Sequence, residues 1–166
     1  MISVTRASLA AALLTCFAFE GAIAEEKEPL AIIELGGAGG WGLSGGSSFG
    51  PSAAVEFEPI KNWLEIEVGA APLFGNGRAE LDTDILFKKP FTLSDKLEFM
   101  VGAGPQWSQP IGGKGSLGVE AALDFMFWPW PDRKYGWFLE PSYSYSFGSG
   151  HEQSLGVSFG LLVAIR

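Results

Sequence analysis

The sequence contains a single cysteine, Cys16. Cys16 lies in an N-terminal segment that we expect to be removed during export, which would leave the mature protein without cysteine. Disulfides, thiolate metal sites and cysteine nucleophiles are thereby excluded from the mature protein. Its stability must come from burial and from backbone pairing.

Basic residues are also scarce. The chain has 11 Lys and Arg against 19 Asp and Glu, which gives a formal net charge of −8. Contacts to phosphate groups need clustered Lys and Arg, and the sequence has no basic stripe of that kind. We therefore expect no nucleic acid among the partners of this protein.

No apolar run is long enough to form a transmembrane helix. The run over residues 9–19 is about half of the ~20 residues that a helix needs to cross a bilayer. It follows the basic residue Arg6 and leads to Ala22-Ile23-Ala24, which is the pattern of a secretory signal peptide. We predict a signal peptide over residues 1–24 that is cleaved after Ala24, a short leader over residues 25–29, and one domain over residues 30–166.

The rest of the chain consists of segments of about ten residues in which apolar side chains alternate with polar or small ones. A period of two predicts β-strands, and no stretch of comparable length has a helical period. In the last segment, Leu155, Val157 and Phe159 share an apolar face, while Ser154 and Gly156 share the other face. The predicted strands cover about residues 30–40, 51–59, 63–72, 78–88, 97–107, 116–127, 136–147 and 154–165.

The links between these segments differ in chemistry. The first, fifth and seventh links are rich in Gly and Ser, and we place them at residues 41–50, 108–115 and 148–153. The second, fourth and sixth links combine Pro with Lys or Arg, and we place them at residues 59–62, 88–96 and 129–134. Two chemically distinct ends indicate an up-and-down meander, the layout of a membrane barrel with both termini in the periplasm.

Aromatic residues collect at the same two ends. The group near the even-numbered links consists of Trp63, Phe91, Trp128, Trp130, Tyr135 and Trp137, and a second group consists of Trp41, Phe74, Trp107 and Phe147. Trp and Tyr favour membrane interfaces, where the ring is in an apolar environment and its N–H or O–H stays hydrated. We interpret the two groups as the girdles of a membrane barrel.

We therefore predict an all-β fold, an eight-stranded antiparallel up-and-down transmembrane β-barrel in the outer membrane. Closure leaves no unpaired backbone groups in lipid, and eight strands enclose a narrow interior that side chains fill. Alternation also fits a soluble periplasmic barrel of lipocalin type, whose apolar face would turn inward around a hydrophobic ligand. That arrangement would invert the assignment of every strand.

With these features, the chain resembles the small eight-stranded outer-membrane proteins of Gram-negative bacteria. Residues 129–143 (PWPDRKYGWFLEPSY) and 150–158 (GHEQSLGVS) are similar to a family of uncharacterised exported proteobacterial barrel proteins. The resemblance implies no assigned activity. Such barrels usually end on an aromatic residue that the insertion machinery reads, whereas this sequence ends on Arg166, and Phe159 is the nearest aromatic residue.

The alternation places many carboxylates on the inward face. They are Glu34, Glu56, Glu58, Glu65, Glu67, Glu80, Asp82, Asp84, Glu98, Glu120, Asp124 and Glu140. Of the basic residues, only Arg78 and Lys88 lie on the same face. The interior is then either an ordinary hydrated lumen or a cation-binding one. Glu80, Asp82 and Asp84 alternate on one strand and are the candidates for a Ca²⁺ or Mg²⁺ site, because these ions prefer several oxygen ligands; no firm metal site is predicted.

The sequence offers little for catalysis. Some barrels of this size modify lipid A with a Ser, a His and an acid, and this chain has His151, Glu152 and Ser154. The spacing of these residues does not match the His-x-Ser arrangement associated with lipid A deacylases, and all three lie in or beside the seventh link. We predict that the protein is not an enzyme, with no catalytic or cofactor-binding residues and no cofactor; a lipid A acyl hydrolase is the alternative.

These patterns predict a small outer-membrane barrel with a structural or surface role. The runner-up is a narrow cation-conducting or ligand-binding barrel. The expected partners are outer-membrane lipid, lipopolysaccharide and the barrel-insertion machinery, and we expect a monomer.

Overall fold

A computed structural model describes residues 29–75, 77–148 and 150–166, and it shows a closed antiparallel barrel. Its strands are β1 (Ala31–Gly42), β2 (Ser47–Ile60), β3 (Leu64–Gly75), β4 (Arg78–Ser94), β5 (Leu97–Pro110), β6 (Ser116–Phe127), β7 (Tyr135–Ser146) and β8 (Gln153–Ile165). Each strand pairs with its neighbour in sequence, and β1 pairs with β8 to close the barrel. The predicted eight-stranded up-and-down fold is confirmed. The predicted signal peptide and most of the leader lie outside the described residues.

The alternation of the sequence becomes the two faces of the barrel wall. On β2, Val55 is 44% exposed and the next residue, Glu56, is 1% exposed. Antiparallel register keeps the faces consistent from strand to strand, because Ala54 pairs with Glu34 on one side and with Gly69 on the other. The predicted assignment is confirmed, since carboxylates point inward and large apolar side chains point outward. The described residues include no helix long and apolar enough to cross a membrane.

The first and fourth links differ most from the predicted bounds, because both are much shorter than expected. β2 begins at Ser47, so the first link covers residues 43–46 instead of 41–50. Gly50 of the predicted link belongs to β2 instead, where the lack of a side chain lets two strands approach closely: a Cβ on Gly50 would lie 1.8 Å from the carbonyl oxygen of Pro72. β4 extends to Ser94, so the fourth link is residues 95–96 instead of 88–96. Pro90 does not end β4, because pairing to β5 continues on both sides of it.

An apolar layer fills the lumen at the end of the barrel that carries the even-numbered links, the start of β1 and the end of β8. Its buried members are Met100, Met126, Trp128, Phe138, Leu162 and Ala164, with Ile32 packed against them. The sequence-based assignment treated the inward face as small or polar and overlooked this layer. Leu162 is 0% exposed at an inward position of β8.

The aromatic girdles are present with one exception. Trp63, Trp130, Tyr135 and Trp137 are exposed at the even-link end, and so are Trp41, Phe74, Trp107 and Phe147 at the odd-link end. Phe91, also predicted for the even-link group, is half-buried and stacks on Phe99. Trp128 was predicted to belong to the first girdle, but it turns into the lumen and is only 2% exposed. Its indole N–H donates to Glu98 Oε2 at 3.0 Å, which supplies the partner that a buried tryptophan needs.

Candidate functional site

A buried lysine lies at the centre of the lumen. Lys88 Nζ is 2.8 Å from Glu56 Oε1, 2.9 Å from Asp124 Oδ2 and 2.6 Å from Glu140 Oε2. It also forms an ion pair with Glu67. The four acids come from β2, β6, β7 and β3, so one side chain of β4 connects strands on every side of the barrel. We call Lys88 and these four acids the lysine cluster.

The cluster is rich in negative charge. Of the six charged side chains that are buried in the described part of the chain, five are acids and Lys88 is the only base. Lys88 is 1% exposed, and a buried charge is tolerated only where other charges and hydrogen bonds compensate for lost hydration. One ammonium group therefore compensates several carboxylates at once.

Glu34 is the fifth buried acid, and it takes part in none of the ion pairs that the described residues form around Lys88. It is 2% exposed, and its Oε1 has no hydrogen-bond partner among the described residues. Its carboxylate lies beside the lysine cluster, since ligand oxygens of Glu34, Glu56, Glu67 and Asp124 all lie within 4.8 Å of one another. This arrangement is a feature of the tertiary fold, because the four residues come from β1, β2, β3 and β6.

An acidic cavity, which we call the vestibule, extends from Glu34 and the lysine cluster toward the odd-link end. The cavity has a volume of about 700 Å³, including the part that is open to solvent. Glu34, Glu67 and Glu140 form its floor, and Asp84 and Glu120 are among its wall residues. Small residues make room for the acids: a Cβ on Gly69 would lie 2.6 Å from Asp84 Oδ1.

The lumen is closed between the lysine cluster and the even-link end. The apolar layer around Met126 and Leu162 fills it, and Trp128 covers the end. Arg133, in the sixth link, donates to Glu98 Oε1 at 2.9 Å and lies over the Trp128 ring at 5.7 Å. The interior is therefore a polar cup that opens at one end.

The predicted metal candidates lie along one wall of this cup. Asp82 and Asp84 line the vestibule, and Glu80 lies beyond them on β4, opposite Leu73 and Pro110. They are not among the described acids that gather within 4.8 Å of one another. The metal assignment stays a prediction, and the closest grouping of carboxylates lies deeper in the lumen.

The two predicted inward bases have different positions. Lys88 meets the acids as expected, whereas Arg78 is exposed at the first position of β4. Arg133 was missed because it lies in a link, where alternation assigns no face. Only the folded position of the link shows that Arg133 reaches Glu98.

The predicted alternative catalytic residues have other contacts. His151 is exposed in the seventh link, with Nδ1 at 3.0 Å from the Tyr145 hydroxyl and the two rings stacked at 6.0 Å. Ser154 lines the vestibule from β8. A serine nucleophile needs a base within hydrogen-bond reach, and the His151 nitrogen that the structure shows in contact faces Tyr145.

Comparison with known proteins agrees with the fold. No family model matches the chain, and no curated protein matches it. Among solved structures, the chain is similar to Neisserial surface protein A (NspA), with a TM-score of 0.65, 14% identity, and coverage of 81% of this chain and 96% of that chain.

Two further structures show the same likeness. Ail, the attachment invasion locus protein of Yersinia pestis, matches with a TM-score of 0.57, 13% identity, and coverage of 82% of this chain and 98% of that chain. The N-terminal β-barrel domain of Pseudomonas aeruginosa OprF matches with a TM-score of 0.55, 12% identity, and coverage of 79% and 96%. The chain has the fold of small eight-stranded outer-membrane β-barrels, and that resemblance is confirmed. The narrower likeness to an uncharacterised proteobacterial family stays a prediction.

Proposed function

We propose that this chain is a small outer-membrane β-barrel protein with a structural or surface role and no catalysis. The observation that carries the proposal is the apolar belt around the barrel, to which every strand contributes an exposed large side chain. One member from each strand, in order, is Leu35, Val55, Val68, Ile85, Val101, Leu123, Leu139 and Leu161. A continuous apolar surface of this kind is unfavourable in water, and the hydrocarbon core of a bilayer covers it.

The soluble lipocalin-like alternative requires the opposite distribution. It places the apolar face around an internal ligand and the charges in water. In this barrel Glu56, Lys88 and Asp124 are buried inside, while Val55, Phe87 and Leu123 are exposed outside. The side-chain distribution therefore supports the membrane protein.

Fractionation followed by gel mobility of boiled and unboiled samples tests the proposal. We expect recovery in the outer-membrane fraction and a heat-dependent mobility shift, because a closed barrel resists detergent until it is heated. Recovery in the soluble periplasm without a shift would contradict the proposal.

A narrow cation-conducting barrel is the second candidate, and the acidic vestibule is the observation that favours it. The lysine cluster and the apolar layer beneath it favour a closed lumen. Planar-bilayer recording of the purified protein separates the two functions. We expect no stable single-channel steps, and reproducible cation-selective steps would establish the second candidate in place of the first.

The absence of catalysis is tested against the lipid A acyl hydrolase alternative. Lipid A from cells with and without the protein, and from cells with His151→Ala, is compared by mass spectrometry. We expect identical spectra, and a deacylated species that disappears in the His151→Ala strain would overturn the non-enzymatic assignment.

The proposed partners are outer-membrane lipid, lipopolysaccharide and the barrel-insertion machinery, with the protein itself a monomer. The apolar belt supports lipid contact around the whole circumference. Light scattering of the detergent-solubilised protein is expected to give the mass of one chain, and a dimer mass would contradict the monomer.

A further inference from the structure

We propose that the floor of the vestibule binds one hard divalent cation, with Ca²⁺ as the best fit, between Glu34 and the lysine cluster. Seven buried carboxylate oxygens lack a hydrogen-bond partner among the described residues. Two of them, on Glu67 and Glu140, form ion pairs with Lys88, and two lie higher in the lumen on Asp82 and Asp84. The remaining three lie at the floor: Glu34 Oε1, Glu56 Oε2 and Asp124 Oδ1. Buried polar atoms in folded proteins are almost always paired, so a group of unpaired ones needs an explanation. A bound cation supplies one.

Lys88 leaves these oxygens available. Its ammonium group contacts Oε1 of Glu56 and Oδ2 of Asp124, which is one oxygen from each carboxylate. The second oxygen of each remains, and Glu34 adds a carboxylate for which the structure shows no ion pair at close range. Ligand oxygens of Glu34, Glu56, Glu67 and Asp124 within 4.8 Å of one another can surround a single ion.

The net charge of the region favours a further positive charge besides that of Lys88. If all five buried acids are ionised, the single positive charge of Lys88 leaves four negative charges uncompensated. Like charges that are held together away from water repel strongly, and a divalent ion removes half of this excess. Of the four ligand carboxylates, those of Glu34 and Glu67 line the vestibule, which gives the ion a path from the odd-link end and space for water ligands.

The chemistry of the ligands selects the ion. The polar side chains that line the vestibule offer carboxylate, hydroxyl and amide oxygens, and hard cations prefer oxygen ligands. Ca²⁺ accepts six to eight oxygens in irregular geometry, whereas Mg²⁺ requires a near-ideal octahedron and releases water reluctantly. Carboxylates that are also committed to Lys88 cannot rearrange freely, so the site favours Ca²⁺ over Mg²⁺.

Equilibrium dialysis with radioactive Ca²⁺ tests the site on the folded barrel in zwitterionic detergent, free of lipopolysaccharide. We expect saturable binding of about one ion per chain, with Mg²⁺ a weaker competitor. Glu34→Gln keeps the shape of the side chain and removes its charge. We expect it to weaken Ca²⁺ binding by at least about tenfold, since affinity depends on the number of ligand charges.

Two variants with the same chemical change serve as controls. Glu152→Gln lies in the exposed seventh link and is expected to leave binding unchanged. Glu80→Gln tests the site along β4 that the sequence predicted. Loss of binding in Glu80→Gln with full binding in Glu34→Gln would place the site near Glu80 on β4 and overturn the proposal. The absence of saturable binding would overturn it as well.

A measurement on the unmodified protein removes any dependence on the folding of Glu34→Gln. In a Ca²⁺ titration of the isotope-labelled barrel, we expect the largest changes of amide chemical shift near Glu34, Glu56 and Asp124. Shifts confined to Glu80 and the odd-numbered links would contradict a site at the floor. The mobility shift on heating, measured without added Ca²⁺, tests the barrel itself, so failure of the ion site and failure of the fold give different results.

Discussion

Lys88 shows how much one residue contributes to this interior. Its four acidic partners belong to four strands, and each of them is buried and forms an ion pair with the ammonium group. Carboxylates without the lysine would lose hydration and gain no compensating charge. Lys88 is therefore essential to the closed, charged centre of the barrel.

We expect Lys88→Met to lower the free energy of unfolding by about 3–5 kcal/mol, the typical cost of removing one partner from a buried ionic network. Urea unfolding in lipid vesicles, followed by tryptophan fluorescence, measures the change. Lys114→Met, in the exposed fifth link, is the matched control and is expected to change stability by less than about 0.5 kcal/mol. Equal effects of the two variants would show that the lysine cluster contributes no specific stability.

The stability of the strand pairs depends on how closely their backbones approach each other. β4 and β5 approach closely at Gly104, where a Cβ would lie 1.8 Å from the carbonyl oxygen of Ile85. At Gly39 of β1, by contrast, the nearest atoms to such a Cβ lie at 3.7 Å. Two glycines in similar sequence surroundings therefore have different structural roles.

We expect Gly104→Ala to destabilise the barrel by about 1–3 kcal/mol, because the methyl group forces β4 and β5 apart. Gly39→Ala is the control and should have little effect. The midpoint of the heat-dependent gel shift measures both variants. If the two midpoints were the same, the close approach at Gly104 would not limit strand packing.

β8 allows a comparison of neighbouring leucines on opposite faces. Leu162 is fully buried in the apolar layer, and Leu161 is exposed on the outer surface. We expect Leu162→Ala to cost about 2–5 kcal/mol, because it leaves a cavity among fixed side chains. In the proposed membrane location, Leu161→Ala should cost less, because lipid chains would fill the space. Urea unfolding in vesicles measures both, and a larger cost at Leu161 would contradict the observed inward and outward faces.

At the scale of the whole molecule, the barrel combines an apolar exterior with an acidic interior that is closed at one end. Two exposed leucines of β6 lie at different heights in this apolar belt. Leu123 lies near the middle of the barrel wall, whereas Leu117 lies near the odd-link end and pairs with Trp107. If the belt lies in a bilayer, the cost of a charge on this surface depends on its depth.

We expect Leu123→Arg to cost about 2–4 kcal/mol and Leu117→Arg about 0–1 kcal/mol, as for charges at the midplane and at the interface of a membrane barrel. Unfolding titrations in vesicles of fixed lipid composition measure the difference. A water-exposed belt would give two similar and small values, so equality would argue against membrane insertion.

The alternation of side chains was enough to predict the strand number, the up-and-down order and the inward carboxylates, because a period of two is a local property of a β-strand. The same local signal identified Lys88 as an inward base. Link chemistry was less informative about strand ends. Pro and Gly are usual in turns, yet neighbouring strands in the barrel hold Pro90 and Gly50 in paired positions.

Only the tertiary structure showed which inward residues meet. The sequence favoured Glu80, Asp82 and Asp84 because they are close along one strand, whereas Glu34, Glu56, Glu67 and Asp124 come together across strands that are far apart in sequence. Alternation determines the face of a residue, but its depth and its partners across the lumen depend on the register and closure of all eight strands. The sequence alone therefore determined an acidic barrel, and the fold decided that the barrel has an apolar base, a central lysine and an acidic cup.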